Sequence, residues 1–193
     1  SNIGINRTLN YTFNVTTDSI SFLNISGNGG IINRSDLNSG NLTNLSAYVW
    51  DMILNRTTLV SGTPNVSTSE LSFYVWDGTS FVEDNSRVFE NGSSNYYYSF
   101  SPDCSYAAGN QDWFIELNGS SAYNDNQSSV YKIGIYGDLN ATYLSPTGLS
   151  EYEVGTSITF TGNLSDDCDV GVSAGNVTYE LYLLCSSECS DKS

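Results

Sequence analysis

The chain contains no histidine. That absence removes Ser-His-Asp and Cys-His catalysis together with every histidine-ligated metal site. Basic residues are scarce as well: six Lys+Arg stand against 21 Asp+Glu, a formal net charge of −15. A polyanion of this kind repels nucleic-acid phosphates and anionic lipid surfaces, so neither is an expected partner. No apolar run approaches the ~18 residues of a membrane-spanning helix. The start at Ser1 has neither a basic nor an apolar segment of signal-peptide type, and reads as a mature product or a fragment of something longer. Gly27-Asn28-Gly29-Gly30 is not followed by the lysine and helix of a phosphate-binding loop. The expectation is a protein that is not an enzyme.

Charged residues of both signs make up only 14% of the 193 residues, against about 25% in an ordinary soluble domain. Something else must keep the surface wet. The Asn-x-Ser/Thr pattern of N-linked glycosylation begins at Asn6, Asn10, Asn14, Asn24, Asn33, Asn41, Asn44, Asn55, Asn65, Asn91, Asn118, Asn126, Asn140, Asn163 and Asn176. These are fifteen of 22 asparagines. With Ser plus Thr near a quarter of the chain, chance alone gives roughly five. A single sequon says little; a threefold excess points to a secreted chain coated with covalent glycans.

The first sequons are also regularly placed. From Asn6 to Thr16 every even position is Asn or Thr, while Ile3, Ile5, Leu9, Tyr11, Phe13 and Val15 occupy odd positions. Strict period-two alternation marks a strand with one buried face, and it sets three acceptors ~13 Å apart on the other.

The apolar 39% and aromatic 13% of the composition suffice for a packed core. Short β-branched and aromatic runs predict strands over 5–16, 20–26, 45–51, 71–77, 80–83, 87–90, 96–101, 112–117, 130–136, 140–145, 157–162 and 176–184. Turn signals at Asp77-Gly78, Asn91-Gly92, Asn118-Gly119 and Gly137-Asp138 separate them. This spacing predicts an all-β sandwich or barrel. Leu45-Ser46-Ala47-Tyr48-Val49-Trp50-Asp51 is echoed as Leu71-Ser72-Phe73-Tyr74-Val75-Trp76-Asp77. Aromatics on both faces of each copy predict central strands covered on two sides, with Trp50 and Trp76 as core residues rather than sugar-stacking platforms.

Leu144-Ser145-Pro146, Val154-Gly155-Thr156-Ser157-Ile158-Thr159-Phe160-Thr161-Gly162 and Gly175-Asn176-Val177-Thr178-Tyr179-Glu180-Leu181 together resemble the opening half of Ig-like repeat modules in large archaeal surface proteins. Phe100-Ser101-Pro102-Asp103, Ala108-Gly109-Asn110 and Trp113 are similar to the closing half of a preceding module. The dense sequons on a strand are similar to those of archaeal extracellular threads and pili. The resemblance covers about half the chain. The alternation marks an extended N-terminal strand over 1–17, and the resemblance implies an Ig-like β-sandwich over 18–138 and a second, incomplete Ig-like module over 139–193. It also implies a structural subunit of an extracellular filament or cell-surface layer, whose partners are copies of itself. An adhesion or carbohydrate-binding module of a larger multi-Ig protein is the alternative.

Fifty-odd residues are too few for an Ig-like sandwich of about 100. Either later strands are missing or a neighbouring subunit supplies one, and Ile3 to Val15 has the alternation to serve as that donor. Such head-to-tail pairing is heterologous and builds open filaments.

Cys104, Cys168, Cys185 and Cys189 fit an oxidising compartment and permit two disulfides; Cys168 with Cys185 or Cys189 is the expected pair. Cys185-x₃-Cys189 lacks the second half of a zinc site. Asp166, Asp167 and Asp169 offer oxygens for calcium, although without EF-hand spacing, and a polar turn is the plainer reading. Paired-carboxylate hydrolysis has two sets of acids to draw on, Glu151 with Glu153 on one strand face and the Asp166, Asp167, Asp169 loop. A same-face pair on a surface strand is ordinarily solvated acid.

Overall fold

In a computed structural model, the described residues are 17–34, 42–58, 65–148, 150–153, 155–172 and 178–180. They divide into two compact units, Ser1–Tyr136 and Gly137–Ser193 by chain range. The described secondary structure is all β, with one 3₁₀ turn at Thr68–Glu70. The first unit holds β1 (Ile20–Ser26), β2 (Gly30–Asn33), β3 (Thr43–Asp51), β4 (Arg56–Thr57), β5 (Leu71–Trp76) and β6 (Phe81–Asp84). It continues with β7 (Val88–Glu90), β8 (Asn95–Phe100), β9 (Gly109–Leu117), β10 (Asn126–Gln127) and β11 (Tyr131–Tyr136). The second unit holds β12 (Leu139–Ser145) and β13 (Thr161–Asp166).

One sheet of the first unit runs β1-β3-β8-β7, with β4 on the end of β3; the other runs β2-β11-β9-β5-β6, with β10 on β9. All pairs are antiparallel except β2 with β11. The two inner faces meet in a sandwich-like core. Leu45, Ala47, Val49, Tyr96 and Phe100 come from the first sheet, and Phe73, Trp113, Ile115, Ile133 and Ile135 from the second. The Phe73 and Tyr98 rings stack across the layers at 5.6 Å. Alternation explains both sheets: along β8 and β9 every second residue is buried, as a strand with one core face requires.

Local chemistry fixes the connections. Gly27 sits at φ 95 between β1 and β2, and a Cβ there would lie 2.6 Å from Leu45 Cδ2, so only glycine fits. Asp51, fully buried at the end of β3, accepts hydrogen bonds from the amides of Ile53 and Leu54 at 3.0 and 2.7 Å and from the Tyr123 hydroxyl at 3.3 Å. Tyr96 donates its hydroxyl to the Val66 carbonyl at 2.6 Å. The glycines of Asp77-Gly78, Asn91-Gly92 and Asn118-Gly119 all have positive φ, as their turns demand.

Two expectations change. Trp50 and Trp76 are not core residues: both are half-buried and stand on the outward faces of β3 and β5, because Ala47, Val49, Phe73 and Val75 take the inward positions. The core tryptophan is Trp113. The strand expected over 157–162 is displaced to β13, where register is set by pairing with β12; residues 156–160 have no strand partner among the described residues. The stretch 5–16 and most of 176–184 lie outside the described residues; 178–180 are described and carry no strand. Sequence reading missed β2, β4 and β10, of which β4 and β10 are too short to show a period.

Candidate functional site

Three surfaces carry chemistry. The first is the set of glycan acceptors. Asn24, Asn33, Asn44, Asn55, Asn65, Asn91, Asn118, Asn126, Asn140 and Asn163 are described, and every one is exposed. Asn24 lies at φ 48 in a bulge of β1, and Asn55 at φ 52 in the turn after β3. Both use a left-handed conformation that asparagine tolerates. Asn126 is already engaged, since its side-chain amide donates to the Ile20 carbonyl at 2.7 Å. Its partner hydroxyl, Ser128, accepts from the Ile115 amide at 3.1 Å and donates to the Ser129 carbonyl. Asn6, Asn10, Asn14, Asn41 and Asn176 lie outside the described residues.

The second surface is the β12–β13 sheet. Its register pairs Asn140 with Ser165 and Thr142 with Asn163. Strand alternation therefore puts both members of two sequons on one face. The opposite face takes Leu139, Ala141 and Tyr143 from β12 and Leu164 from β13. Leu139 is 66% and Tyr143 50% exposed. Tyr179 approaches that face, its hydroxyl 3.1 Å from where a Gly162 Cβ would stand, and the Phe160 ring packs against Tyr179 at 5.6 Å, tilted by 35°. A cavity of about 200 Å³ runs beside Ala141, Tyr143, Gly162 and Tyr179. Among the described residues, one face is polar and bears acceptors, and the opposite face is apolar and largely exposed, with Tyr179 against it.

The third surface is the outward face of the β2-β11-β9-β5-β6 sheet. Tyr74 stacks on Phe114 at 4.7 Å, Phe81 meets Phe114 edge-on at 4.9 Å, and Trp76 meets Phe81 edge-on at 5.2 Å. Acids flank the cluster. The Ser72 hydroxyl donates to Glu83 at 2.6 Å. Burial, then hydrogen bonding to Glu116, raises the Tyr74 hydroxyl pKa to about 12. Lys132 on β11 pairs with Asp112 on β9.

The acidic loop resolves into a turn. Asp166 Oδ1 accepts the amides of Cys168 at 3.0 Å and Val170 at 2.8 Å. Oxygens of Asp166 and Asp167 approach the Cys168 sulfur, while Asp169, exposed at φ 58, falls outside the group. The Cys168 sulfur is not a free thiolate ligand, because Cys168 is disulfide-bonded to Cys104. That bond corrects the expected pairing of Cys168 with Cys185 or Cys189, which lie outside the described residues. Sequence reasoning sought a staple within the short second unit; Cys104 lies far from it in sequence and gave no local signal. Glu151 and Glu153 lie in an exposed stretch with no strand, so nothing there fixes them on a common face.

The chain matches no family model and no curated protein. Fold and surface chemistry therefore carry the functional argument.

Proposed function

We propose that the chain is a structural subunit of an extracellular filament or surface layer, N-glycosylated on its exposed acceptors and joined head-to-tail by strand donation between copies. The observation that carries this reading is the two-faced β12–β13 sheet. Two sequons crowd one face, and among the described residues the other presents Leu139, Ala141 and Tyr143 exposed and Leu164 partly buried, with Tyr179 beside them. An open apolar face beside a sheet edge favours an added strand, which brings main-chain hydrogen bonds and alternate side chains for the exposed pockets. The Ile3 to Val15 segment has that alternation, with its sequons on the opposite face. Donation from one copy to the next is heterologous and propagates into an open fibre.

An Ig-like assignment of the first unit is part of the proposal. Its sheets can be lettered A-B-E-D for β1-β3-β8-β7 and C′-C-F-G for β6-β5-β9-β11, the strand order of that family of sandwiches. It departs from antibody domains in placing the core tryptophan, Trp113, on β9 rather than on β5.

Full-length protein should form fibres visible by negative-stain microscopy. Protein lacking residues 1–16 should remain monomeric and bind a peptide of that sequence in trans. Fibres from the truncated protein would refute strand donation.

A further inference from the structure

The outward face of the β2-β11-β9-β5-β6 sheet stands apart from the rest of the sequon-rich surface. Strands β5, β6, β9 and β11 carry no acceptor asparagine, and Asn33 and Asn126 lie on the marginal strands β2 and β10. This is the face that gathers Tyr74, Phe114, Phe81 and Trp76, with Phe81 still 38% exposed. Pairing places Phe81 opposite Trp76 and Lys132 opposite Asp112, and Asp112 lies one residue beyond the last β5–β9 pair, Val75 with Trp113. The four side chains thus form one row across four strands. A recess of about 280 Å³ opens along it, lined by Trp76, Phe81, Asn110, Gln111, Asp112 and Lys132.

We propose that this recess binds a neutral pyranose residue of a glycan. Its volume falls just under the ~300–1,000 Å³ of drug-sized pockets, which suits a single ring. The indole and phenyl walls offer apolar surface to the C–H face of a sugar. At the other end Lys132 supplies donors, Asp112 acceptors and the Asn110 amide both, a mixture that matches vicinal hydroxyls. Charge decides between candidate occupants. Glu83, Asp112 and Glu116 share this face, and the whole chain carries −15, so a second copy or an anionic glycan would meet like charge. A neutral sugar meets none. It can come from an N-glycan of a neighbouring copy or from a separate polysaccharide; the recess chemistry is the same for both.

The test is calorimetric titration of the native and the enzymatically deglycosylated full chain. The probes are gluco-, manno- and galacto-oligosaccharides and N-glycans released from the protein itself. Saturable binding is expected, weakened at least tenfold by Trp76→Ala and by the double variant Asp112→Asn, Lys132→Ala. Trp50→Ala, on the other sheet, should leave it unchanged, with thermal melts confirming that each variant is folded. Binding of released N-glycans alone, seen only after deglycosylation, would support the site and name neighbouring copies as the source; binding of a simple oligosaccharide by native protein would support it with an external source. No binding by either form, or binding indifferent to Trp76→Ala, would overturn the proposal. So would loss of self-association in Trp76→Ala without any sugar binding, which would make the face a protein contact. Strand donation through β12–β13 is read by microscopy and is untouched by these outcomes.

Discussion

Thr142 and Asn163 stand opposite one another on β12 and β13, so the hydroxyl of one sequon lies beside the acceptor of the next. Two glycans on neighbouring strands would shield this face and leave the apolar one free. Thr142→Val keeps the side-chain shape and removes only the Asn140 sequon. Intact mass should fall by one glycan, while Asn163 stays modified.

Asn126 should be the least occupied of the ten described acceptors, because its amide and the Ser128 hydroxyl are both committed to backbone partners. Site-resolved glycopeptide analysis reads this directly. Full occupancy at Asn126 would show that attachment precedes formation of those bonds.

Asp51→Ala should destabilise the first unit by about 3 kcal/mol, since it strands two turn amides and the Tyr123 hydroxyl beside a vacated buried site. Tyr96→Phe should cost less, about 1–2 kcal/mol, for one lost bond to Val66. Chemical denaturation with unchanged m-value would establish both.

Stability should fall at both ends of the pH scale. Hydrogen bonds from the Ser105 side chain and amide lower the Asp103 pKa. At Asp84 burial acts upward but is outweighed by the Ser86 hydroxyl and amide, and the net shift is down. A depressed carboxyl pKa stabilises the fold above the unfolded value of about 4, and the benefit disappears as pH falls through the folded value. Burial raises Tyr96 and Tyr106 to about 12. Their contribution is whole below the unfolded tyrosine value of about 10 and is lost as pH rises toward 12. Tyrosinate absorbance should therefore show a late group of transitions coincident with unfolding, and Asp103→Asn should flatten the acid limb.

Tyr143→Asp should abolish fibre formation without unfolding the first unit, because it puts a charge on the open face of the second. Sedimentation analysis would show monomers. Fibres from this variant would move the subunit contact elsewhere.

Much of the strand pattern was legible because burial follows period two: 20–26 coincides with β1, and 71–77 and 130–136 lie within a residue of β5 and β11. Faces were harder than positions. Tyr48-Val49-Trp50 and Tyr74-Val75-Trp76 look the same from either side, and only the neighbouring strands decide that the aromatics point outward. The outward cluster was illegible for the same reason: Trp76 and Phe81 share one hairpin, but Phe114 and Lys132 lie on strands far from it in sequence, and register assembles them. Cys104 with Cys168 is a long-range choice among three pairings, and spacing carries no information about it.

If covalent sugar rather than ionised side chains solubilises this chain, the native protein must carry it where the fold exposes acceptors. Mass spectrometry of native material before and after deglycosylation is the most direct measurement. The account predicts glycans at most of the exposed acceptors, Asn44, Asn140 and Asn163 among them; unmodified asparagine at all of them would contradict it.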